Sequence, residues 1–281
     1  MSHAANVSAV VCALNAENMV KECLTSLKDS GVGEIIFVDG GSSDKTVEIA
    51  RGFADKIVYD KGTGLADARN LGINHSTKEY ILNFGIDNVI DKSILLNGIK
   101  FFDEHKYSAI GFLTHSQNVH SYLSYCMNKY KIARYFQGER EVIGTPNLFK
   151  AEVLKKNPYS SKNTHSDDAE LCERLSVKYG AKFYLINDYV YEIGQDKLKD
   201  IIVRWKNYGK SDSEIWRDLR SNRSIYANFL SLLYPLRKEL FLPLWRANLF
   251  DKLFIFPFLF MITSIRYYSW VVNSLKKNLN I

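Results

Sequence analysis

Three polar side chains stand where short apolar runs end: Asn15 after VVCAL, Asp39 after IIFV and Asp87 after YILNFGI. A carboxylate accepts hydrogen bonds and cannot donate them, so it suits partners that bring an N–H or a hydroxyl. Asp39 is followed by Gly40, Gly41, Ser42 and Ser43, and it also reads as the residue that shapes a strand-to-helix turn. Farther along, Asp167, Asp168 and Glu170 open a helical pattern. Acids in a first helical turn are favoured by the macrodipole, and they are also side chains that take protons in catalysis. Arg69, in ADARN, carries a fork suited to phosphate or carboxylate, or makes an ordinary surface ion pair. No G-x-x-x-x-G-K-[ST] loop, G-x-S-x-G elbow or H-E-x-x-H helix is present, and Gly62-Thr63-Gly64 lacks the third glycine of a dinucleotide fingerprint. His115 and His120 are five apart and do not share a helical face, whereas His165 neighbours the acid pair.

The elements that must position these groups follow from hydrophobic periodicity. Residues 7–14 read as a buried strand, with Asn15 capping a helix whose Met19, Val20, Cys23, Leu24 and Leu27 share a face. Strands at 35–38, 56–59 and 80–84, with helices from near Asp44 and over 66–73, complete four strand–helix steps. Such alternation builds a mostly parallel sheet with helices on both faces. Ligands collect at the carboxyl ends of strands in such sheets, where Asn15, Asp39 and Asp87 all fall. Beyond Asp91 the pattern predicts a helix to Glu104, a strand at 109–113, a helix over 119–135, a strand at 145–149, a helix over 168–179 and strands at 182–186 and 189–193. From Leu198 onward it is mainly helical.

In order along the chain, VSAVVCALNAENMVKECLTSL, IIFVDGGSSDKTVEIA, GLADARNLGI, KEYILNFGIDN, GTPNLFKAEVL, DDAELCERL and RWKNYGKS resemble the inverting glycosyltransferases of family 2, which have the GT-A fold. The resemblance covers about residues 7 to 211, and its weight lies in the ordered set. It implies an α/β GT-A domain over 1–210, with a donor half at about 6–90 and an acceptor and base half at about 91–210, followed by a helical, amphipathic region over 211–281. By the same resemblance Ala13, Leu14, Asn15 and Glu17 line a nucleoside pocket, and Asp39 accepts from the base or ribose. Arg69 meets the donor phosphates. Asp87 is the match to the acid that reaches a divalent metal, Mg²⁺ or Mn²⁺, bridging the diphosphate. The family motif reads Asp-x-Asp where this chain has Gly85-Ile86-Asp87-Asn88, so the contact of the first acid passes to Asn88 or is absent. Asp168 is the expected general base, Asp167 and Glu170 its neighbours, and Gly144, Thr145, Pro146 and Asn147 a loop approaching the sugar or acceptor. The implied activity is transfer from a UDP- or GDP-sugar to a hydroxyl on a lipid-linked or cell-surface glycan. Transfer to a polyprenyl phosphate and a non-catalytic sugar-nucleotide-binding role stand as alternatives.

Composition sets the remaining bounds. With 281 residues, 46% hydrophobic and 24% charged, the chain is expected to fold as a domain with an appendage. Cys12, Cys23, Cys126 and Cys172 form no C-x-x-C pair and fit a reducing compartment, and the run at 7–14 reads as a core strand rather than a signal peptide. Net charge is +6, but the aromatic residues form no nucleic-acid stacking module, so nucleic acid is not an expected partner. The run LFIFPFLFMITSI at 253–265 is too short to span a bilayer, and Pro257 weakens a continuous helix there. With Arg237, Lys238, Arg246, Lys252, Arg266, Lys276 and Lys277 around it, the region is expected to lie on the cytoplasmic face of a membrane as a peripheral or monotopic segment. Core packing or burial in a homo-oligomer would also cover it.

Overall fold

The computed structural model describes residues 3–117, 119–161, 167–194, 197–219 and 232–278. They fall into two compact units, Met1–Gln117 with Phe136–Gly194, and Asn118–Tyr135 with Gln195–Ile281.

The first unit opens with β1 (Val7–Ala13), α1 (Val20–Ser30), β2 (Glu34–Asp39), α2 (Thr46–Ala50), β3 (Lys56–Tyr59), α3 (Leu65–His75) and β4 (Tyr80–Gly85). These are the four strands expected over this stretch, with the helices between them. It continues through β5 (Asn88–Val89), α4 (Lys92–Glu104) and β6 (Ala109–Ser116). After α5 (Tyr122–Arg134), which belongs to the second unit, come β7 (Gly138–Arg140), β8 (Asn147–Lys150), α6 (Ala151–Lys156), α7 (Asp167–Tyr179) and β9 (Phe183–Glu192). One sheet takes the order β3-β2-β1-β4-β8-β6-β9-β5, with β7 also on β9. Its β3-to-β4 half is parallel, β8 runs antiparallel to β4 and β6, and β6 and β9 are parallel.

Strands buried on both faces need unbroken apolar runs, which is why β1 and β2 do not alternate. Val7, Ala9, Val11 and Phe37 meet α1 and α4 through Leu24, Leu27, Leu95 and Phe102. Val10, Ile36, Val38 and Ile81 meet α3, α6 and α7 through Ile73, Leu154, Leu171 and Leu175.

Three local expectations change. Asn15 does not cap α1: it adopts φ 51°, and the helix begins five residues later, after Met19. The two strands expected over 182–193 are one, β9, paired to β6 across a register shift between Phe112 and Leu113, so a local irregularity read as a break in sequence is absorbed by the ladder. The short β5 and β7 had no sequence signal, since two or three residues cannot show a period.

The second unit is helical: α5, α8 (Leu198–Leu219), a π-helical turn at Leu236–Phe241, α9 (Leu242–Arg246) and α10 (Leu249–Asn278). Ser121 and Ser124 form a capping box at the start of α5. Cys126, Met127, Tyr130, Trp205, Ile255, Phe258, Leu259 and Ile262 make its core. Gly209 lets α8 approach α10, because a Cβ there would stand 2.2 Å from the Arg266 carbonyl oxygen. Contrary to the sequence expectation, α10 continues through Pro257. Pro257 and Leu253, whose carbonyl loses its helical partner, both lie on the exposed side of the helix. Arg266, expected to reach headgroups, is buried instead and pairs with Asp212 and Glu239. No helix among the described residues is long and apolar enough to cross a membrane.

Candidate active site

The carboxyl ends of β1, β2 and β4 lie side by side, with Ala13 in register with Asp39 and Cys12 with Gly85. Asp39 is 2% exposed, and its Oδ2 accepts the backbone N–H groups of Gly41 and Ser42, both at 3.0 Å. Its Oδ1 is buried without a hydrogen-bond partner. A buried polar oxygen left in that state costs free energy unless a ligand donor reaches it. Beside it Leu14 is exposed, and Asn15 Oδ1 accepts the Ser43 N–H at 2.9 Å while its own N–H donates to Ser42 Oγ. Glu17 is tied across the same turn, accepting the Lys45 N–H at 3.2 Å. The loops after β1 and β2 therefore form one hydrogen-bonded rim that includes Ala13, Leu14, Asn15, Glu17 and Asp39.

At the end of β4 the backbone N–H of Gly85 donates to Asn88 Oδ1 at 3.1 Å. A Cβ on residue 85 would sit 2.6 Å from Asp87 Oδ1 and 2.8 Å from Asn88 Oδ1. Two oxygens thus converge on the space that a first acid's Cβ would fill. Asp87 and Asn88 offer hard oxygen donors, a set that suits Mg²⁺ or Mn²⁺ when diphosphate oxygens complete the shell. Among the described residues no group of three His, Cys, Asp or Glu is placed to hold a metal without such help.

A second constellation is built under α3. Gly72 presses α3 onto the sheet, since a Cβ would stand 2.5 Å from Val10 Cγ1, and one turn earlier Arg69 is buried. Its Nη1 reaches Asp167 Oδ2 at 2.5 Å and Asp168 Oδ1 at 3.2 Å, and its Nη2 donates to Thr145 Oγ1 at 2.8 Å. The fork expected at donor phosphates is thus engaged with the acid pair. Tyr159 stacks under the guanidinium at 5.2 Å, and its hydroxyl accepts from Asn83 Nδ2 at 3.1 Å. Asn83 also donates to Asn147, its register partner on β8, at 2.9 Å. Gly144 lies in the same place, its Cβ direction 3.9 Å from Asp168 Oδ2, and Pro146 follows Thr145 through a cis peptide.

The two acids differ in surroundings. Asp167 is closed in at 8% side-chain exposure, while Asp168 keeps 21%. Burial raises the Asp168 carboxyl to about 6, against Arg69, which lowers it. A carboxylate poised there is ionised at neutral pH and still basic enough to take a proton.

Tyr159 and Asn83 were missed by motif reading. Tyr159 lies in a loop without a motif, but Asn83, an amide inside the apolar run of β4, was a readable signal of a buried polar network. His115 packs its ring on Tyr189 at 3.9 Å, and His165 lies outside the described residues.

The family model for glycosyl transferase family 2 matches residues 8–157. The chain belongs to that family. Among relatives, a PGL/p-HBAD biosynthesis glycosyltransferase of Mycobacterium bovis is 31% identical over 110 residues, covering 36% of this chain and 43% of its own. The chain therefore spans less than half the length of that relative. An uncharacterized glycosyltransferase of Rickettsia felis is 22% identical over 252 residues, 90% of this chain and 82% of its own. Among solved structures, a mannosyltransferase of Pyrobaculum calidifontis in complex with GDP-Man and Mn²⁺ superposes with a TM-score of 0.66 at 14% identity, covering 96% of this chain and 87% of its own. This family 2 chain thus has the α/β fold of the GT-A enzymes, as its motifs implied.

Proposed function

We propose that the chain transfers a sugar from a nucleoside diphosphate donor, UDP- or GDP-linked, to an acceptor hydroxyl with inversion, on a lipid-linked or cell-surface glycan. The observation that carries this reading is Asp168: a carboxylate open to solvent on one side, fixed by Arg69 on the other, with its carboxyl raised to about 6.

In the proposed step the acceptor oxygen attacks the anomeric carbon as the bond from that carbon to the diphosphate oxygen breaks. The hydroxyl proton passes to Asp168, and the diphosphate departs with the bonding electron pair. Asp39 Oδ1 accepts from the base or ribose, within the rim formed by Ala13, Leu14, Asn15 and Glu17. The loop of Gly144, Thr145, Pro146 and Asn147 borders the reacting sugar and acceptor. Asp87, with Asn88 beside it, is the residue to hold Mg²⁺ or Mn²⁺. When bound, such an ion neutralises charge on the leaving diphosphate. The complex of the Pyrobaculum calidifontis protein with GDP-Man and Mn²⁺ supports the same donor and cofactor class here.

The test is Asp168→Asn, because an amide keeps the shape but takes no proton. Expected is loss of transfer at least about a hundredfold, with the thermal shift from UDP or GDP plus Mn²⁺ unchanged. Retained transfer would assign the reaction to an acceptor that is already an anion, such as a polyprenyl phosphate. A chain that neither binds nucleotide nor turns over a nucleotide sugar would be a non-catalytic member of the family.

A further inference from the structure

Apolar side chains left outside the second unit's core are concentrated on one stripe. On α10, Leu249, Leu253, Phe256 and Phe260 follow one another at helical spacing and are exposed, opposite the inward row of Ile255, Phe258, Leu259 and Ile262. Trp245, on α9, is 80% exposed. Phe241, Leu244, Trp245, Leu253 and Phe256, with Lys252, line an open groove of about 670 Å³. Solvated surface rarely carries so many large apolar groups together unless something covers them.

The charges say what covers it. Residues 232–278 contain two acids, Glu239 and Asp251, and α5 contains none. Both are turned inward: Glu239 is 2% exposed and bound by Arg266 and the Tyr130 hydroxyl, and Asp251 is 5% exposed and bound by Lys129, Asn248 and Tyr125. Arg237 and Arg246 are exposed, and Lys252 lines the groove itself. This stretch therefore presents a face of apolar and basic groups with its acids withdrawn. That complements an anionic lipid surface, where Trp, Leu and Phe enter the acyl boundary and basic groups meet phosphate headgroups.

We infer that the α9–α10 face, centred on Trp245, Leu249, Leu253 and Phe256, docks the chain onto an anionic bilayer without crossing it. The inference is independent of sugar transfer, so its test uses lipid binding alone. In flotation of the full chain, phosphatidylcholine vesicles containing phosphatidylglycerol are expected to carry the protein, and pure phosphatidylcholine vesicles to carry it weakly, with binding falling as salt rises. Trp245→Ser, Leu249→Ser and Leu253→Ser combined should lower binding at least about tenfold, with no loss of thermal stability, because all three side chains are exposed. Arg237→Gln or Lys252→Gln should each lower it about fivefold. Failure of the full chain to float with anionic vesicles overturns the inference. So does a wild-type dimer in light scattering that the triple variant converts to monomer while vesicle binding is unaffected, since a second copy would then be the occupant.

Discussion

Arg69 on α3 and Asp167 on α7, 98 residues apart in the chain, meet at 2.5 Å with neither side chain more than 10% exposed. Asp168 takes the remaining reach of the same Nη1 at 3.2 Å, so one guanidinium holds a closed acid and an open one together. Removing the cation strands a buried carboxylate. Arg69→Met is expected to cost about 3–5 kcal/mol, read as a lower denaturant midpoint. Loss of less than about 1 kcal/mol would mean that the pair is not buried in solution.

In the proposed reaction Asp168 takes the proton only when ionised, so the transfer rate should rise with pH and level off above about 6, the value to which burial brings its carboxyl. The same shift bears on stability with the opposite sense. The folded chain binds this proton more tightly than the unfolded one, so the group's contribution to stability falls as pH rises from the ordinary carboxyl range to about 6. The Tyr159 hydroxyl favours the ionised form of Asp168, so Tyr159→Phe should move the acid limb of the rate profile upward. A variant with lower rate but an unmoved limb would make Tyr159 a packing residue only.

Asp39→Asn separates the turn from the ligand contact. The amide oxygen can still accept the N–H groups of Gly41 and Ser42, which places the NH₂ where the partnerless Oδ1 now stands. Nucleotide affinity is expected to fall by about 1.5–3 kcal/mol, measured by calorimetry with UDP and GDP, while the melting temperature without ligand changes little. Unaltered affinity would remove Asp39 from the nucleoside pocket.

Gly85→Ala puts a methyl group within 3 Å of both Asp87 Oδ1 and Asn88 Oδ1. Asp87 must swing away to admit it, so the Mn²⁺ concentration giving half-maximal activity should rise several-fold, with nucleotide binding in the absence of metal preserved. An unchanged metal requirement would place the ion elsewhere. Gly85→Asp faces the same obstruction at its Cβ, and is not expected to restore a working acid pair without Asp87 being moved.

Local order was open to inspection in the sequence because it depends on nearest neighbours. Apolar runs of four to eight residues ending in Asp39 and beside Asp87 marked strand ends, and the family motifs named the side chains gathered there. Asn15 shows the limit: its amide looked like a helix cap, but a contact to Ser43, 28 residues away, decided its conformation. Arg69 shows it again, since a guanidinium suits phosphate and carboxylate alike, and only the packing of α3 through Gly72 set it against Asp167 and Asp168. In the second unit, periodicity placed the C-terminal apolar run on a helix, and tertiary contacts with α5 and α8 decided which half became core. The same contacts drew Arg266, Glu239 and Asp251 inward, because a buried charge requires a partner and each found one from a different element.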